Sequence, residues 1–301
     1  MIFISFGEII WDVYPDKATL GGAPLNLAAH AALQGCKVIM SSAVGDDALG
    51  KDAIQQTEAL GVGTSCIDIS REHRTGECVV TLDQNGVPSY NVLNDVAWDH
   101  ISFSEAMPRK CDVLAFGTLA LRGEHNRNTI KKMLEGIECS EIYTDLNIRP
   151  PFYSDESILF CLENATIVKI SDEELPTVVR AVSDKEYDCE GAAAMLAERY
   201  PQIKLLLITL GEKGSLCYET KTRSFICAPA EPVEAVSTVG VGDSFGATFL
   251  ANYMKTQDIS ASLTLAAKVS AFVVSRQGAI PDDTKEFLGS QIVTRYVKNE
   301  K

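Results

Sequence analysis

The sequence predicts an α/β fold in which a mainly parallel sheet has helices on both faces and one small β insertion lies outside the sheet. Short apolar runs alternate with segments of helical periodicity along most of the 301-residue chain, and strand–helix–strand units with right-handed crossovers build parallel sheets. The run LLLI at 205–208 is continuous, which is typical of a parallel strand buried on both faces. In contrast, the segment 75–90 alternates and turns at Asn85-Gly86, which predicts a β-hairpin outside the main sheet.

The individual elements follow from apolar runs of strand length that are separated by turn residues or helical patterns. The predicted strands are 2–6, 37–44, 112–116, 141–145, 166–170 and 204–209. The first predicted helix begins after Gly21 and Gly22, and others span 45–47 to about 60, about 124 to 135, 260 to about 275, and about 282–299 at the end of the chain. Gly61 ends the helix before it, because glycine adopts the left-handed conformation that terminates helices.

Composition predicts one globular domain over 1–301 and narrows the classes of partner. The chain is 46% hydrophobic and 23% charged, which is ordinary for a soluble globular protein. A net charge of −14 argues against nucleic acid or an anionic membrane as the main partner, because binding either needs a basic face. The N-terminal stretch is too short and too acidic for a signal peptide, and no apolar run approaches the roughly 20 residues that span a bilayer.

Cysteine and histidine usage indicates neither a disulfide framework nor a zinc site. The nine cysteines are scattered singly without a C-x-x-C pair, which favours the reducing cytoplasm as the location. The four histidines are widely spaced and form no H-x-x-x-H pair. We therefore expect the histidines to be structural or surface residues.

Polar residues beside predicted elements are the first candidates for ligand binding. Asp12 lies between apolar neighbours near a strand end, as either a turn residue or a ligand contact. Asn26 lies in the first turns of the helix opened by Gly21 and Gly22, where its amide suits a polyol or acts as a local cap.

Further candidates follow strands later in the chain, where open α/β sheets bind ligands. Asn147 and Arg149 follow the strand 141–145, and Arg149 either holds a phosphate bidentately or forms a surface ion pair. Ser171 and Glu174 have the spacing of a helix capping box.

A glycine turn at 238–243 (TVGVGD) leads into a helix whose apolar residues recur at i, i+4 and i+8, namely Phe245, Phe249 and Tyr253. Such a helix N-terminus offers unpaired backbone N–H groups and the positive end of the helix dipole, and glycines let a phosphate approach them. Asp243, in the first turn, could take a proton from a hydroxyl beside the anion. An ordinary turn with an acidic residue is the alternative.

These motifs together resemble the ribokinase-like (PfkB) carbohydrate kinases. TVGVGD is similar to their C-terminal signature Asp-Thr-x-Gly-Ala-Gly-Asp, and residues 21–26 with Asp12 are similar to the N-terminal signature. The forms GEIIWDVYP and GGAP-x-N are closest to the fructokinase-like members. The resemblance runs from Asp12 to Pro281 in the order of the family, so it implies the ribokinase-like fold.

The resemblance implies transfer of the ATP γ-phosphoryl group to a sugar hydroxyl, with the 6-hydroxyl of fructose as the expected acceptor. The acceptors 2-keto-3-deoxygluconate, ribose and other furanoses are alternatives, and a non-catalytic sugar or nucleotide sensor is a remote one. Asp243 would be the general base, and the N–H groups of Gly240, Val241 and Gly242 would form the anion hole. The implied sugar-binding residues are Asp12, Gly21, Gly22, Asn26, Asn147 and Arg149.

The resemblance also implies residues for the nucleotide and for cations. The implied nucleotide-binding residues are Lys169, Thr209, Gly211, Gly214 and Gly278. Glu174 would hold Mg²⁺ through water, although Ser171 replaces the Asn of the motif Asn-x-x-Glu. Ser237 stands where the family usually has an Asp that helps form a monovalent-cation site. The resemblance therefore leaves both a potassium-dependent and a potassium-independent enzyme open.

The family's lid covers the sugar and often pairs with the lid of a second subunit. The resemblance implies that residues 8–16 and 71–96 form this lid and that the protein is a homodimer. Trp98 follows the lid and either walls the sugar site or packs in the core.

Overall fold

The structure is a computed structural model. It describes residues 1–14, 16–82 and 88–298, and the side chains of all of these except 80–82, 88–90 and 292–298. The strands are β1 (Ile2–Phe6), β2 (Ile10–Val13), β3 (Ala18–Gly21), β4 (Lys37–Gly45), β5 (Val62–Ser70), β6 (Gly76–Leu82), β7 (Pro88–Val92), β8 (Lys110–Gly117), β9 (Glu138–Asp145), β10 (Ile167–Ser171), β11 (Leu205–Thr209), β12 (Ser215–Glu219) and β13 (Ser224–Ala228). The helices are α1 (Ala23–Leu33), α2 (Ala48–Ala59), α3 (Glu124–Gly136), α4 (Asp155–Asn164), α5 (Leu175–Val182), α6 (Cys189–Arg199), α7 (Val241–Thr256), α8 (Ile259–Val274) and α9 (Thr284–Lys298).

The main sheet has nine strands in the order β13-β12-β11-β10-β9-β8-β1-β4-β5. The seven strands from β11 to β5 in this order pair in parallel, and β12 and β13 add an antiparallel hairpin at one edge. The continuous apolar run 205–208 is buried, as expected, but β11 is parallel only to β10 and antiparallel to β12. The mainly parallel sheet that the sequence predicts is confirmed.

Helices cover both faces of this sheet, as the sequence also predicts. One buried cluster packs residues of α3, α4, α5 and α6 against the sheet, as Ile130 and Leu196 illustrate. The other cluster packs α1, α2, α7 and α8 against the opposite face, as Leu25, Phe249 and Leu263 illustrate. Phe249 belongs to the i, i+4 pattern of α7, so the apolar periodicity identified the helix face that is buried.

A second sheet of four strands, in the order β3-β2-β6-β7, stands apart from the main one. Its strands β2, β6 and β7 come from the predicted lid segments 8–16 and 71–96, whereas β3 lies outside both segments. The strands β2 and β6 pair in parallel, and the outer pairs are antiparallel. The predicted turn at Asn85-Gly86 and Pro15 in the first segment lie outside the described residues.

Trp98 is fully buried just after this second sheet. The guanidinium of Arg122 lies 4.0 Å from its ring centroid, and a Cβ on Gly76 would collide with the indole. Arg122 also forms a mostly buried ion pair with Asp99 at 2.6 Å. Trp98 therefore packs in the core rather than walling an open site.

Helix ends agree with the local signals in the sequence. Asp47 caps α2 by accepting a hydrogen bond of 2.8 Å from the Gly50 amide, and Gly61 follows the helix with a φ of 78°. The last helix begins at Thr284, and residue 299 of its predicted span lies outside the described part. Among the described helices, none is both long and apolar enough for a membrane span.

Candidate active site

The turn before α7 requires glycine at position 240. Gly240 has a φ of 76°, a left-handed conformation that residues with a Cβ rarely adopt. A Cβ at this position would lie 2.6 Å from the Cα of Ala279, so the neighbouring loop packs directly onto the glycine. This contact holds the start of α7 in place.

The first turn of α7 presents unpaired backbone N–H groups. The amide of Ser244 donates to the Gly240 carbonyl at 2.8 Å, and that of Val241 lies 3.5 Å from the Thr238 carbonyl. Within the described chain, the amides of Gly240, Gly242 and Asp243 have no acceptor, and no side chain caps the helix. Of the three amides predicted for the anion hole, those of Gly240 and Gly242 are free among the described residues, whereas that of Val241 makes a long hydrogen bond to Thr238. The Asp243 amide, which was not predicted, is also free in this part of the chain to bind an anion.

Asp243 lies beside these amides and lines a pocket at the carboxyl ends of the parallel strands. Burial raises the pKa of its carboxyl from 3.8 to about 7, and the charge of Asp145 adds to the rise. A hydrogen bond from Asn26 and the positive charges of Lys169 and Arg149 act in the opposite direction. The carboxyl thus changes its charge close to neutral pH.

Asn26 links the two glycine-opened helices. Its Nδ2 donates to Asp243 Oδ2 at 2.9 Å, although the two residues are 217 positions apart. Its Oδ1 is buried and accepts no hydrogen bond from the described residues. Gly22 precedes α1 and has a φ of 112°. A Cβ on Gly22 would collide with the carbonyl oxygen of Glu8. The local-cap alternative fails, because Asn26 makes no cap contact and reaches Asp243 instead.

Two further acids line the same pocket and were not predicted as site residues. Glu8 directly follows Gly7 after β1 and is 3% exposed, and burial raises its carboxyl pKa to about 7. Asp145 ends β9, and its Oδ1 is buried without a partner among the described atoms. Both acids lie at the carboxyl end of a strand of the main sheet, Asp145 as its last residue and Glu8 two residues beyond it, which is the same signal that selected Asn147 and Arg149.

Lys169 lies under the glycine turn. Its Nζ donates to Asp145 Oδ2 at 2.8 Å, and the residue is only 5% exposed. Burial alone would lower the pKa of the ammonium, but the charge and hydrogen bond of Asp145 outweigh burial and raise it. A Cβ on Gly242 would lie 3.2 Å from Nζ, so the cation is adjacent to the anion-binding turn.

The Glu174 carboxylate connects the segment after β9 to the end of β10. Its Oε1 accepts from the Ile148 amide at 2.6 Å, and its Oε2 accepts from the Ser171 amide at 2.9 Å. The Ser171 hydroxyl accepts in return from the Glu174 amide at 3.2 Å. The reciprocal hydrogen bonds of a capping box are present, but they close a turn, because α5 begins later, at Leu175.

Of the predicted sugar-binding residues, Asn147 lines this pocket, and Asp12, Gly21, Gly22, Asn26 and Arg149 do not. Burial raises the pKa of Asp12 on β2, while a hydrogen bond from the Cys78 thiol and the charge of Arg149 lower it. Gly21 lies opposite, where a Cβ would be 3.4 Å from Asp12 Oδ2. Asn147 lines the pocket. Its backbone is in the left-handed region, with a φ of 40°.

Arg149 is exposed, and its positive charge acts on Glu8, Asp12, Asp145 and Asp243. The surface ion pair that was its alternative role is absent from the salt bridges of the described residues.

Three predicted nucleotide-binding residues lie at the end of β11 and do not line this pocket. Thr209 is the last residue of β11, and its carbonyl accepts from the Asp172 amide at 2.9 Å. Gly211 and Gly214 shape the turn into β12 with φ values of 56° and 102°. The turn lies one strand beyond Lys169 along the same sheet edge.

Gly278 lies on the loop that packs against the α7 turn. It has a φ of 83° and open space around it, and the next residue, Ala279, contacts Gly240. The Nε2 of His30 donates to the Ala279 carbonyl at 2.8 Å, and burial lowers the pKa of this imidazole to about 4. A neutral His30 therefore ties the loop to α1. Nearby, the hydroxyl of Ser237 accepts from the Val239 amide at 3.3 Å.

Comparison with known proteins finds one matching family and several relatives that are similar over most of the chain. The model of the pfkB family carbohydrate kinase matches residues 7–286. A fructokinase of Salmonella typhimurium is 31% identical over 296 residues, covering 91% of this chain and 93% of the relative. A probable fructokinase-5 of Arabidopsis thaliana is 26% identical and covers 93% of both chains.

Solved structures share the fold. The fructokinase of Vibrio cholerae O395 with fructose, ADP and calcium ion bound has a TM-score of 0.80 at 23% identity, covering 92% of this chain and 94% of that one. The aminoimidazole riboside kinase of Salmonella enterica has a TM-score of 0.80 at 19% identity, covering 96% of this chain and 99% of that one. At these identities, the likeness concerns the fold.

Proposed function

The chain belongs to the pfkB family of carbohydrate kinases, and from this premise we propose that it phosphorylates the 6-hydroxyl of fructose with ATP. The acceptor is proposed from the relatives, since the Salmonella typhimurium protein at 31% identity is named a fructokinase. The neighbouring Vibrio cholerae structure holds fructose and ADP.

One observation carries the proposed mechanism, namely a buried carboxyl directly beside unpaired helix amides. Asp243 would accept the proton of the sugar hydroxyl, and a pKa of about 7 suits a general base working near neutral pH. The amides of Gly240, Gly242 and Asp243 would stabilise the charge on the transferring phosphoryl group. Lys169 would add positive charge from beneath the turn.

Sugar binding is proposed for Asn26, Asp12 and Arg149. Asn26 would hold a sugar hydroxyl through its unpartnered Oδ1 while its Nδ2 orients Asp243. Asp12 would accept hydrogen bonds from further hydroxyls, and Arg149 would clamp the phosphate side. The second sheet would close over the bound sugar and exclude water, which limits ATP hydrolysis.

The acidic residues fit a hydrated Mg²⁺ ion, the metal that we propose accompanies ATP. Asp145 offers a buried, unpartnered Oδ1, and Glu174 keeps free lone pairs after accepting from two backbone amides. Carboxylate oxygens reached through water are the usual protein contacts of Mg²⁺. When bound, the ion would neutralise charge on the β- and γ-phosphates.

Three further properties belong to the same proposal. All nine cysteines are free, which supports a cytoplasmic location. Ser237 offers a hydroxyl in place of the family's carboxylate, so we propose turnover that needs no potassium. Among the described residues, β3 and β7 are the outer strands of the second sheet and have no further strand beside them, which supports pairing with a second copy.

The test is an assay of ADP release with Mg²⁺-ATP and fructose, ribose, 2-keto-3-deoxygluconate or glucose, each with and without potassium. We expect turnover on fructose in both salts. Turnover on another sugar would replace the acceptor, and sugar binding without any turnover would favour a sensor on the same fold.

The role of Asp243 is tested with Asp243→Asn in the same assay. A general base contributes about 10²–10⁴-fold, so we expect at least about a hundredfold lower kcat with ATP binding retained. Near-normal turnover in this variant would contradict the base assignment.

A further inference from the structure

Two of the nine cysteines meet at the edge of the main sheet that lies away from the pocket. Cys111 is the second residue of β8 and Cys139 is the second residue of β9, and the two are direct partners in this parallel strand pair. Their strands run on to Gly117 and Asp145, which line the pocket of Asp243 at the opposite edge. The two cysteines are 28 positions apart in the sequence, so the register of the strands brings them together.

The geometry of the pair suits a disulfide. The Cys111 thiol donates a hydrogen bond to the Sγ of Cys139 at 3.2 Å. Neighbouring strands lie about 4.8 Å apart, and disulfides join residues whose Cα atoms are about 4.4–6.8 Å apart. A sulfur–sulfur bond of about 2.05 Å therefore needs a movement of only about 1 Å. Among the described residues, neither cysteine belongs to a cluster of three possible metal ligands, so zinc binding is not the alternative that the pair offers.

Solvent reaches the two sulfur atoms through a cavity at this end of the strands. Both cysteines line it, and its volume is about 340 Å³. Lys110 and Glu138 also line it, and their side chains are 76% and 72% exposed. A water molecule needs only about 10–15 Å³, so a small oxidant can enter. Cys111 is buried whereas Cys139 is partly exposed, so a dissolved oxidant meets the sulfur of Cys139 first.

The contact between the thiols also makes Cys139 the better nucleophile. The hydrogen bond from Cys111 lowers the pKa of the Cys139 thiol, although burial acts in the opposite direction. The same hydrogen bond, together with burial, raises the pKa of Cys111 well above its usual range. Because the thiolate is the form that attacks electrophiles, Cys139 is expected to react before Cys111.

We propose that Cys111 and Cys139 form a reversible oxidation site, at which a hydroperoxide converts the two thiols into a disulfide. The Cys139 thiolate attacks one peroxide oxygen, the O–O bond breaks, and the departing oxygen takes up a proton, which leaves Cys139 as a sulfenic acid. The Cys111 sulfur then attacks the Cys139 sulfur. The S–S bond forms, the S–O bond breaks, and water leaves with the proton of the Cys111 thiol.

In this sequence the two thiols lose two electrons in total and the peroxide gains them. A dithiol reductant restores both thiols by disulfide exchange, so the site stays reduced in a reducing compartment. The proposal is independent of the kinase reaction, because neither cysteine lines the pocket of Asp243.

The test treats the reduced full-length protein with a small molar excess of hydrogen peroxide, alkylates the remaining thiols in urea and analyses the peptides by mass spectrometry. We expect nine alkylated cysteines per chain before oxidation and two fewer after it, with the peptides of Cys111 and Cys139 joined by a disulfide. Dithiothreitol should restore all nine. Nine alkylated cysteines after oxidation, or a disulfide that joins other cysteines instead, would overturn the proposal.

The order of the two steps is tested with dimedone, which traps sulfenic acids. Cys111→Ser lacks the second thiol, so dimedone should label Cys139 in this variant. In Cys139→Ser, the buried Cys111 should stay unlabelled. Labelling of Cys111 in place of Cys139 would contradict attack by Cys139.

Cys227→Ser is the matched control, because Cys227 is exposed on β13 at an outer edge of the main sheet. It should form the disulfide between Cys111 and Cys139 to the same extent as the unaltered protein. The Tm of each reduced variant reports folding separately. Loss of the disulfide in a folded Cys227→Ser would show that the oxidation depends on the exposed cysteine and would overturn the proposal.

Discussion

At the scale of single residues, the carboxyl of Asp243 lies close to the amides of α7 but is buried away from water. Its carboxyl must be close to the amides of α7 to act there, and this position removes it from water. Burial makes ionisation of this carboxyl unfavourable. This effect is only partly offset by the hydrogen bond from Asn26 and by the charges of Lys169 and Arg149, since the pKa still rises to about 7. A buried carboxyl whose pKa is raised in this way lowers stability where it is ionised.

This cost predicts that Asp243→Asn stabilises the protein at pH 8 more than at pH 4. The carboxyl titrates near 3.8 when unfolded and near 7 when folded, so the folded state binds more protons between these values and loses stability as pH rises. Three pKa units correspond to about 4 kcal/mol, which is the upper bound of the gain at pH 8. Urea unfolding of both proteins at the two pH values measures the difference.

Glu8 adds a contribution of the same sign that is coupled to Asp243. Burial and then the charge of Asp243 raise its pKa to about 7, so both proteins should lose stability from Glu8 as pH rises, and the variant should lose less. A gain from Asp243→Asn that is the same at both pH values would show that ionisation of Asp243 is not its cause.

At the scale of elements, the start of α7 depends on the loop that packs against it. Gly240 contacts Ala279, and His30 holds the Ala279 carbonyl from α1. The amides of the turn therefore have a fixed direction before any phosphate arrives. A preorganised set of donors needs no rearrangement during the reaction.

We expect Gly240→Ala to impair both folding and turnover. A left-handed conformation costs a residue with a Cβ about 1–2 kcal/mol, and the contact with Ala279 adds to this cost. Relief of the contact would move the amides, so kcat should fall further than the loss of stability explains. Urea unfolding and the ADP-release assay measure the two effects.

Gly289→Ala is the control for this substitution. Gly289 lies exposed within α9 with open space where a Cβ would be, so alanine should raise stability by about 0.5–1 kcal/mol and leave kcat unchanged. Similar behaviour of the two alanine variants would contradict the role given to the turn.

At the scale of the whole molecule, the two sheets have separate tasks. The nine-stranded sheet with helices on both faces carries the pocket at its strand ends, and the four-stranded sheet stands beside it. The outer edges of the small sheet are the surfaces on which the proposed homodimer depends.

The dimer proposal predicts a molar mass in solution of twice the 32.7 kDa of one chain. Light scattering after size exclusion at several concentrations measures it. Thr19→Lys on the exposed edge strand β3 should shift the mass towards the monomer, because a charge at a sheet edge opposes pairing. Ser224→Lys on β13, an edge of the main sheet, should leave the mass unchanged. A monomer mass for the unaltered protein at every concentration would exclude the dimer.

Much of the architecture could be predicted because its signals are local. The apolar periodicity of α7, the buried run at 205–208 and the glycines at 22 and 240 each report the conformation of a few neighbouring residues. The α/β fold and the glycine-opened helices were therefore accessible from the sequence. Strand β3 was missed because its four residues are too few to show a period, and its partner β2 is what defines it.

The sequence by itself determined the fold class, the two glycine turns and the residue types at the strand ends. Only the tertiary structure decided which of these residues meet. Asn26 reaches Asp243 across 217 positions, Glu8 and Asp145 enter the pocket from different strands, and His73 finds His100 across the second sheet. The physical reason is that conformation along the chain is set by neighbouring residues, whereas such contacts arise from the packing of entire strands and helices.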